Sequence, residues 1–184
     1  MQKFGTIYPV IFILILQVIA LSFFPQNAFS QDNSYIPVYK AASIYKFINY
    51  INFDDNDDKI DVCVVGNQLV YKLLQKTMEK RMSVSREIIS ELYEKPDKEI
   101  KNCDFAYISS QVKQDVYKIS GIISGSEYPI ITISDIEGFN DEFNGLIEMF
   151  EDKGRVKFKI NLKKSISLDV NISSKLIESA QDVY

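Results

Sequence analysis

Two places in the chain hold side chains that could do chemistry. One is Ser173-Ser174-Lys175, where hydroxyls and an amine sit side by side as a nucleophile and its base would. The other is the pair Cys63 and Cys103, the only cysteines present. The serine–lysine pairing is weak on spacing. It is not the S-x-x-K arrangement, and adjacent residues on a helix point about 100° apart. Ser173 or Ser174 as a helix N-cap accounts for the hydroxyls without catalysis. The sequence has no His and no Trp. That removes a Ser-His-Asp triad, a Cys-His pair and most zinc and haem ligand sets. Both cysteines lie in apolar runs, away from a base or cation that would activate a thiolate. The acidic run at 54–58 lacks the Gly and Glu of an EF-hand loop and reads as a solvated loop. No enzyme, metal site or cofactor is expected.

The chemistry of the cysteines depends on the compartment. Lys3 precedes an apolar run, residues 7–24, and Ala28-Phe29-Ser30 places small residues before Gln31. This is the pattern of a cleaved secretory signal over residues 1–30, with an uncleaved membrane anchor as the alternative. No Cys follows the run to carry a lipid. The mature chain would be 31–184, with 20 Lys/Arg against 25 Asp/Glu, a net charge of −5. An acidic chain with scattered lysines is a poor nucleic-acid binder, and it has no polybasic membrane patch. In an oxidising compartment Cys63 and Cys103 read most simply as a disulfide, with two buried free thiols as the alternative.

The elements that must position these residues follow from periodicity. Residues 37–53 have a helical period, with Val38, Ala41, Ala42, Tyr45, Ile48 and Phe53 on one broad face. Residues 59–66 are a buried strand ending at Gly66. Residues 67–82 are a helix capped by Asn67, with Leu69, Leu73, Leu74 and Met78 inward. A short strand at 84–90, a buried strand at 103–109, a helix at 110–123 with Val112, Val116 and Ile119 inward, and a buried strand at 129–135 follow. Strands that are apolar throughout, alternating with helices, predict a largely parallel sheet covered by helices. The tail differs. Residues 145–161 predict an antiparallel hairpin with Val156, Phe158 and Ile160 on one face and Asn161 closing the strand. A helix or turn at 162–167 and a C-terminal helix over 173–184, striped by Leu176, Ile177 and Ala180, complete the chain. It makes one domain.

A sheet of this type binds ligands beyond the carboxyl ends of its strands. Asn67, Ser109, Ser110, Ser134 and Asp135 fall there. The same residues also serve as helix caps, and the chain has neither a G-x-G-x-x-G pattern nor a Walker lysine.

Five segments in order resemble the YfiR/HmsC-like periplasmic proteins. They are YKAASIYKFINYINFD (39–54), VCVVG (62–66), CDFAYIS (103–109), TISDIEGF (132–139) and GLIEMFEDKGRVKFKINLKKSISLDVNISSKLIESA (145–180). Phe53 and Asp54 stand where the family usually has Trp and Pro. The resemblance implies a three-layer α/β/α domain, often dimeric, in the periplasm. It implies a non-enzyme that represses an inner-membrane diguanylate cyclase through the cyclase's periplasmic sensor region, and so limits cyclic di-GMP and biofilm formation. An outer-membrane lipoprotein sequesters the repressor in that scheme. The family's first disulfide falls on Cys63 and Cys103, and its second has no counterpart here. Its ligand position near the I-S-S segment falls on Asn171 and Ser173, both uncharged, and Asn161 and Ser174 in the same tail are further candidates for a ligand or partner, with Lys175 a solvated neighbour. The alternative role is a small-ligand-binding domain serving a transporter or sensor kinase. Tyr35, Tyr39, Tyr45 and Tyr50, around the first helix, are the aromatic candidates for a partner surface.

Overall fold

The computed structural model describes residues 35–53, 58–80 and 86–184. They run as α1 (Ile36–Tyr50), β1 (Ile51–Phe53), β2 (Lys59–Val65), α2 (Gln68–Lys80), β3 (Glu87–Tyr93), a 3-10 turn (Lys98–Asn102), β4 (Phe105–Ile108), a second 3-10 turn (Ser110–Asp115) leading into α3 (Val116–Ser124), β5 (Ile131–Ser134), α4 (Phe139–Glu142), β6 (Ile147–Asp152), β7 (Arg155–Ile160), α5 (Leu162–Ser167), β8 (Val170–Ile172), α6 (Ser174–Glu178) and β9 (Asp182–Val183). The predicted signal segment, residues 1–30, and the acidic residues 54–57 lie outside the described residues.

Seven strands form one sheet in the order β3-β2-β4-β5-β6-β7-β9. The first five are parallel to one another. β7 turns back antiparallel to β6, and β9 runs parallel to β7. β4 and β5 bury every residue, as strands covered on both faces must. One face carries Val62, Val64, Phe105, Tyr107, Ile131 and Ile133 and packs against α1 and α2. The other carries Cys63, Val65, Ala106 and Ile108 and packs against α3. This is the predicted three-layer α/β/α arrangement. The predicted hairpin is present. Lys153 (φ 51°) and Gly154 (φ 72°) form its two-residue turn, whose positive φ values match the twist of the flanking strands.

Several boundaries differ from the sequence reading, each for a tertiary reason. The first helix ends at Tyr50, because Ile51 adopts an extended backbone and β1 pairs antiparallel with β8, Ile51 opposite Ile172. Its buried stripe is Ile36, Ala41, Ile44, Tyr45, Phe47 and Ile48, whereas Val38 and Ala42 are exposed. Phe47 meets Phe158 of β7 edge-on at 4.9 Å, one of the contacts that turn this stripe inward. In α2 the buried residues are Val70 and Leu74, while Leu69 faces water. β3 runs on to Tyr93, paired with β2 along its length. The segment at 110–123 starts as a 3-10 turn, with a break at Val112 before α3. Cys103 precedes its strand instead of opening it. The C-terminal helix is the largest departure. Only Ser174–Glu178 is helical, and Asp182–Val183 leaves to pair with Lys159 and Ile160.

Gly66 closes β2 with φ +80°, and a Cβ there would lie 2.5 Å from Val112 Cγ1. Both the backbone conformation and the close approach of the second 3-10 turn require glycine. This junction delivers Asn67 to the strand-end face.

Candidate functional site

The sheet order has its switch at β2, whose neighbours β3 and β4 are reached in opposite directions. Sheets of this kind bind ligands beyond the strand ends at such a switch. The five polar residues predicted to gather at these ends do so, and each has a structural partner. Asn67 Oδ1 accepts from the Val70 amide (3.0 Å), and Asn67 Nδ2 donates to Ser109 Oγ (3.4 Å). Ser109 Oγ accepts from the Gln111 amide at 3.2 Å. Ser134 Oγ donates to the Ile108 carbonyl (2.7 Å) and accepts from the Ile136 amide (3.0 Å). Asp135 accepts from the Ser110 amide (2.6 Å) and from Ser110 Oγ (3.2 Å), and it pairs with the ammonium of Lys40 on α1.

Beyond Asp135 lies a cleft of about 480 Å³ lined by Lys40, Ser110, Glu148, Phe150 and Lys159 among others. Glu148 is 2% exposed although its side chain is polar. Its carboxylate accepts from Lys159 Nζ at 3.4 Å and from the Asn140 amide at 3.3 Å. Lys159 is also its cross-strand partner, and its ammonium stands 5.6 Å from the Phe150 ring centroid. Sequence reasoning missed Lys40, Glu148 and Lys159. A signal existed for two of them. Pairing outward from the Lys153-Gly154 turn sets Asp152 opposite Arg155 and therefore Glu148 opposite Lys159.

Tyr107 lies behind this polar layer. Its hydroxyl is buried and meets the geometry of no hydrogen bond. Burial, then the charge of Asp135, holds its phenol well above the usual tyrosine range. In the unfolded chain the phenol loses its proton near pH 10, whereas the folded protein keeps it. The folded state then binds more protons, so this group's contribution is fully present below pH 10 and is lost as pH rises further. Tyr107→Phe is expected to remove that alkaline component of the stability profile. Near pH 7 it should change stability by less than about 1 kcal/mol, since the hydroxyl lies by Ser109 and Asp135 without a well-formed hydrogen bond. Thermal melts from pH 7 to 11 check this, and a marked destabilisation at pH 7 would contradict it.

The partner and ligand candidates separate into three places. Tyr50, Asn171, Ser173 and Ser174 come together at the end of α1. The Ser173 amide donates to the Tyr50 carbonyl at 2.9 Å, and Asn171 sits opposite Asn52 in the small sheet. Asn171 and Ser174 are exposed. Ser173 holds the N-cap position of α6 without a side-chain capping bond. Tyr39, 47% exposed, lies in the first half of α1. There Tyr39, Ala42, Ser43 and Lys46 face Arg155 and Val156 across a groove of about 240 Å³. Tyr45 and Asn161 are internal. Tyr45 is 6% exposed in the core. Asn161 caps α5 through Oδ1 to the Lys164 amide at 3.0 Å. Lys175 is exposed, consistent with a solvated neighbour of the helix start.

Cys63 and Cys103 form a disulfide with Cα atoms 6.0 Å apart, within the usual span for the bond. It ties β2 to the entry of β4 on the α3 side of the sheet. Among the described residues no group of His, Cys, Asp and Glu could hold a metal ion. Among them, no helix is long and apolar enough to cross a membrane.

A doubly wound α/β domain carrying one disulfide and an antiparallel C-terminal hairpin defines the class. The chain belongs to the YfiR/HmsC-like family, whose profile matches residues 38–181. The family is one of regulatory proteins of periplasmic cyclic di-GMP signalling. Two solved structures share the fold. A conserved domain protein from Vibrio cholerae O1 biovar El Tor is 12% identical with a TM-score of 0.55, covering 80% of this chain and 60% of that one. The ABC domain in complex with L-Trp from Streptococcus pneumoniae is 9% identical with a TM-score of 0.53, covering 80% and 62%. The chain thus spans about three fifths of the length of each. At such identities the likeness is one of fold. No curated protein sequence matches the chain.

Proposed function

We propose that the protein is exported through cleavage of residues 1–30 and acts as a single periplasmic domain. It binds the periplasmic region of a membrane diguanylate cyclase and represses it, limiting cyclic di-GMP and biofilm formation. An outer-membrane lipoprotein would relieve the repression by sequestering the domain, and the domain would work as a homodimer. The observation that carries this reading is the family match over residues 38–181. The chemistry agrees with it. The strand-end polar residues are engaged as caps and cross-links, and Ser173-Ser174-Lys175 opens a short helix. The surface residues proposed to contact the partner or a ligand are Tyr39, Tyr50, Asn171, Ser173 and Ser174. Deleting the gene should raise cyclic di-GMP and surface attachment severalfold, and full-length protein supplied in trans should restore both. Unchanged cyclic di-GMP in the deletion would overturn the proposal.

The cleft of about 480 Å³ beside Asp135 and Glu148 favours a second reading, a small-ligand-binding domain serving a transporter or sensor kinase. A thermal-shift screen of the purified domain separates the two. A tight small-molecule ligand, together with unchanged cyclic di-GMP in the deletion, selects the second.

A further inference from the structure

The first half of α1 exposes an apolar stripe that the described residues leave uncovered. Tyr35 is 59% exposed, Val38 43% and Tyr39 47%, and Ala42 continues the row at the same helical spacing. Beside Tyr39 and Ala42 runs the groove bounded on its far side by Arg155 and Val156. Its charge is one-sided. The lining contains Lys46 and Arg155 and no carboxylate, although the chain as a whole is acidic. Neither cation is bonded to a carboxylate among the described residues, although Asp152 lies near enough to feel the charge of Arg155. Lys46 donates to Ser179 Oγ at 2.8 Å and stands over the Phe158 ring at 5.6 Å, both uncharged partners. Asp152, opposite Arg155 in the hairpin, is bonded instead to Lys157 at 2.6 Å. Arg155 has no ion pair among the described residues.

From this we infer that the groove between α1 and the β6–β7 turn seats a segment of the protein partner that carries apolar side chains flanked by Asp or Glu. The apolar part lies on Tyr39, Ala42 and Val156, and its carboxylates meet Arg155 and Lys46. The tyrosines supply large contact area at low entropic cost and hydroxyl donors at the rim. Two cations suit the flank of a peptide segment and are too few to hold an anionic bilayer, which takes a cluster of four to eight. The guanidinium of Arg155, near Asp152 but not bonded to it, can meet a carboxylate in the bidentate geometry it favours. The inference rests on the partner-binding reading above and adds where the partner sits and what chemistry it presents.

The test uses the full chain in its own cells, with the photoreactive amino acid benzoylphenylalanine placed at Tyr39 and, as a control, at the exposed but distant Tyr128. Mass spectrometry then reads the sequence of the cross-linked peptide. The expected product joins position 39 to an apolar segment containing Asp or Glu in another protein. Introducing Arg155→Glu should lower its yield about tenfold, as loss of a charged anchor does, while circular dichroism and melting temperature stay as in the parent. Four results would overturn the inference: a cross-link to a second copy of this chain, a cross-linked segment without carboxylates, capture from position 128 alone, or a yield indifferent to Arg155→Glu. Failure here stays distinct from failure of the repressor reading. If deletion raises cyclic di-GMP but the Arg155→Glu chain represses like the parent and cross-links elsewhere, the groove is wrong and the repressor stands.

Discussion

The variant Cys63→Ala/Cys103→Ala is expected to lose about 4 kcal/mol of stability. The two cysteines are 40 residues apart. Closing a loop of that length removes unfolded-chain entropy worth about 4 kcal/mol in the chain-entropy model. Alanine is the substitution of choice because both sites are buried, Cys63 at 0% and Cys103 at 8% exposure, and a serine hydroxyl there would add its own desolvation cost. Reduced wild-type protein gives the cross-link's effect without loss of the sulfur atoms. It should fall most of the way to the variant. Urea titration measures both, and the reduced and variant proteins should show larger m-values, since their unfolded chains expose more surface. A loss below about 1 kcal/mol would mean that the loop is already constrained in the unfolded state. The bond staples β2 to the entry of β4, the two strands that flank the switch point of the sheet. Its loss should therefore also loosen the Asn67–Ser109 contact between their ends.

What the sequence disclosed and what it hid divide along a physical line. Strands β2, β4 and β5 were legible because burial on both faces leaves a continuous apolar run that no exposed element carries. The hairpin was legible because its turn requires positive φ, which Lys153-Gly154 advertises. The facing of α1 was not, because apolar residues occur around most of its circumference. Packing of the helix against α2 and β7, with Phe47 against Phe158, decides that Ile44 turns inward and Val38 outward. The tail after Ser174 has helical spacing, yet Asp182–Val183 gains more by adding to β7, a contact set by the fold as a whole. The strand-end cluster was legible in its serines, asparagine and aspartate, since those residues close strands and open helices. Lys40 was not, because it reaches Asp135 across 95 residues of sequence. The aromatic candidates show the same limit. Tyr39 and Tyr45 look alike in sequence, and the rotation of α1 alone puts one in the groove and the other in the core.

The pair Lys40–Asp135 should behave as a buried latch instead of a surface ion pair, and a double-mutant cycle decides it. The Asp135 side chain is 4% exposed and that of Lys40 20%. Lys40→Met keeps the aliphatic stem and removes the charge, leaving the carboxylate to the Ser110 amide and hydroxyl with the Tyr107 hydroxyl nearby. Breaking one partner of a buried pair costs about 3–5 kcal/mol. Because Lys40 is partly open to water, which would reach the orphaned carboxylate, the expected loss lies at the low end, about 3 kcal/mol. Asp135→Asn should cost less, about 1–2 kcal/mol, since the amide oxygen still accepts from Ser110 and the freed ammonium retreats to solvent. Combining the two removes the stranded charge, so Lys40→Met/Asp135→Asn should be more stable than the sum of the single losses predicts, by about 2 kcal/mol. An additive cycle, with Lys40→Met below about 0.5 kcal/mol, would place the pair among surface contacts that contribute little. A coupled cycle has a consequence for binding. Lys40 sits on the same helix as Tyr39, and its latch joins the first half of α1 to the loop after β5. The tyrosine then meets a partner from a helix already fixed in place, and less ordering entropy opposes the contact.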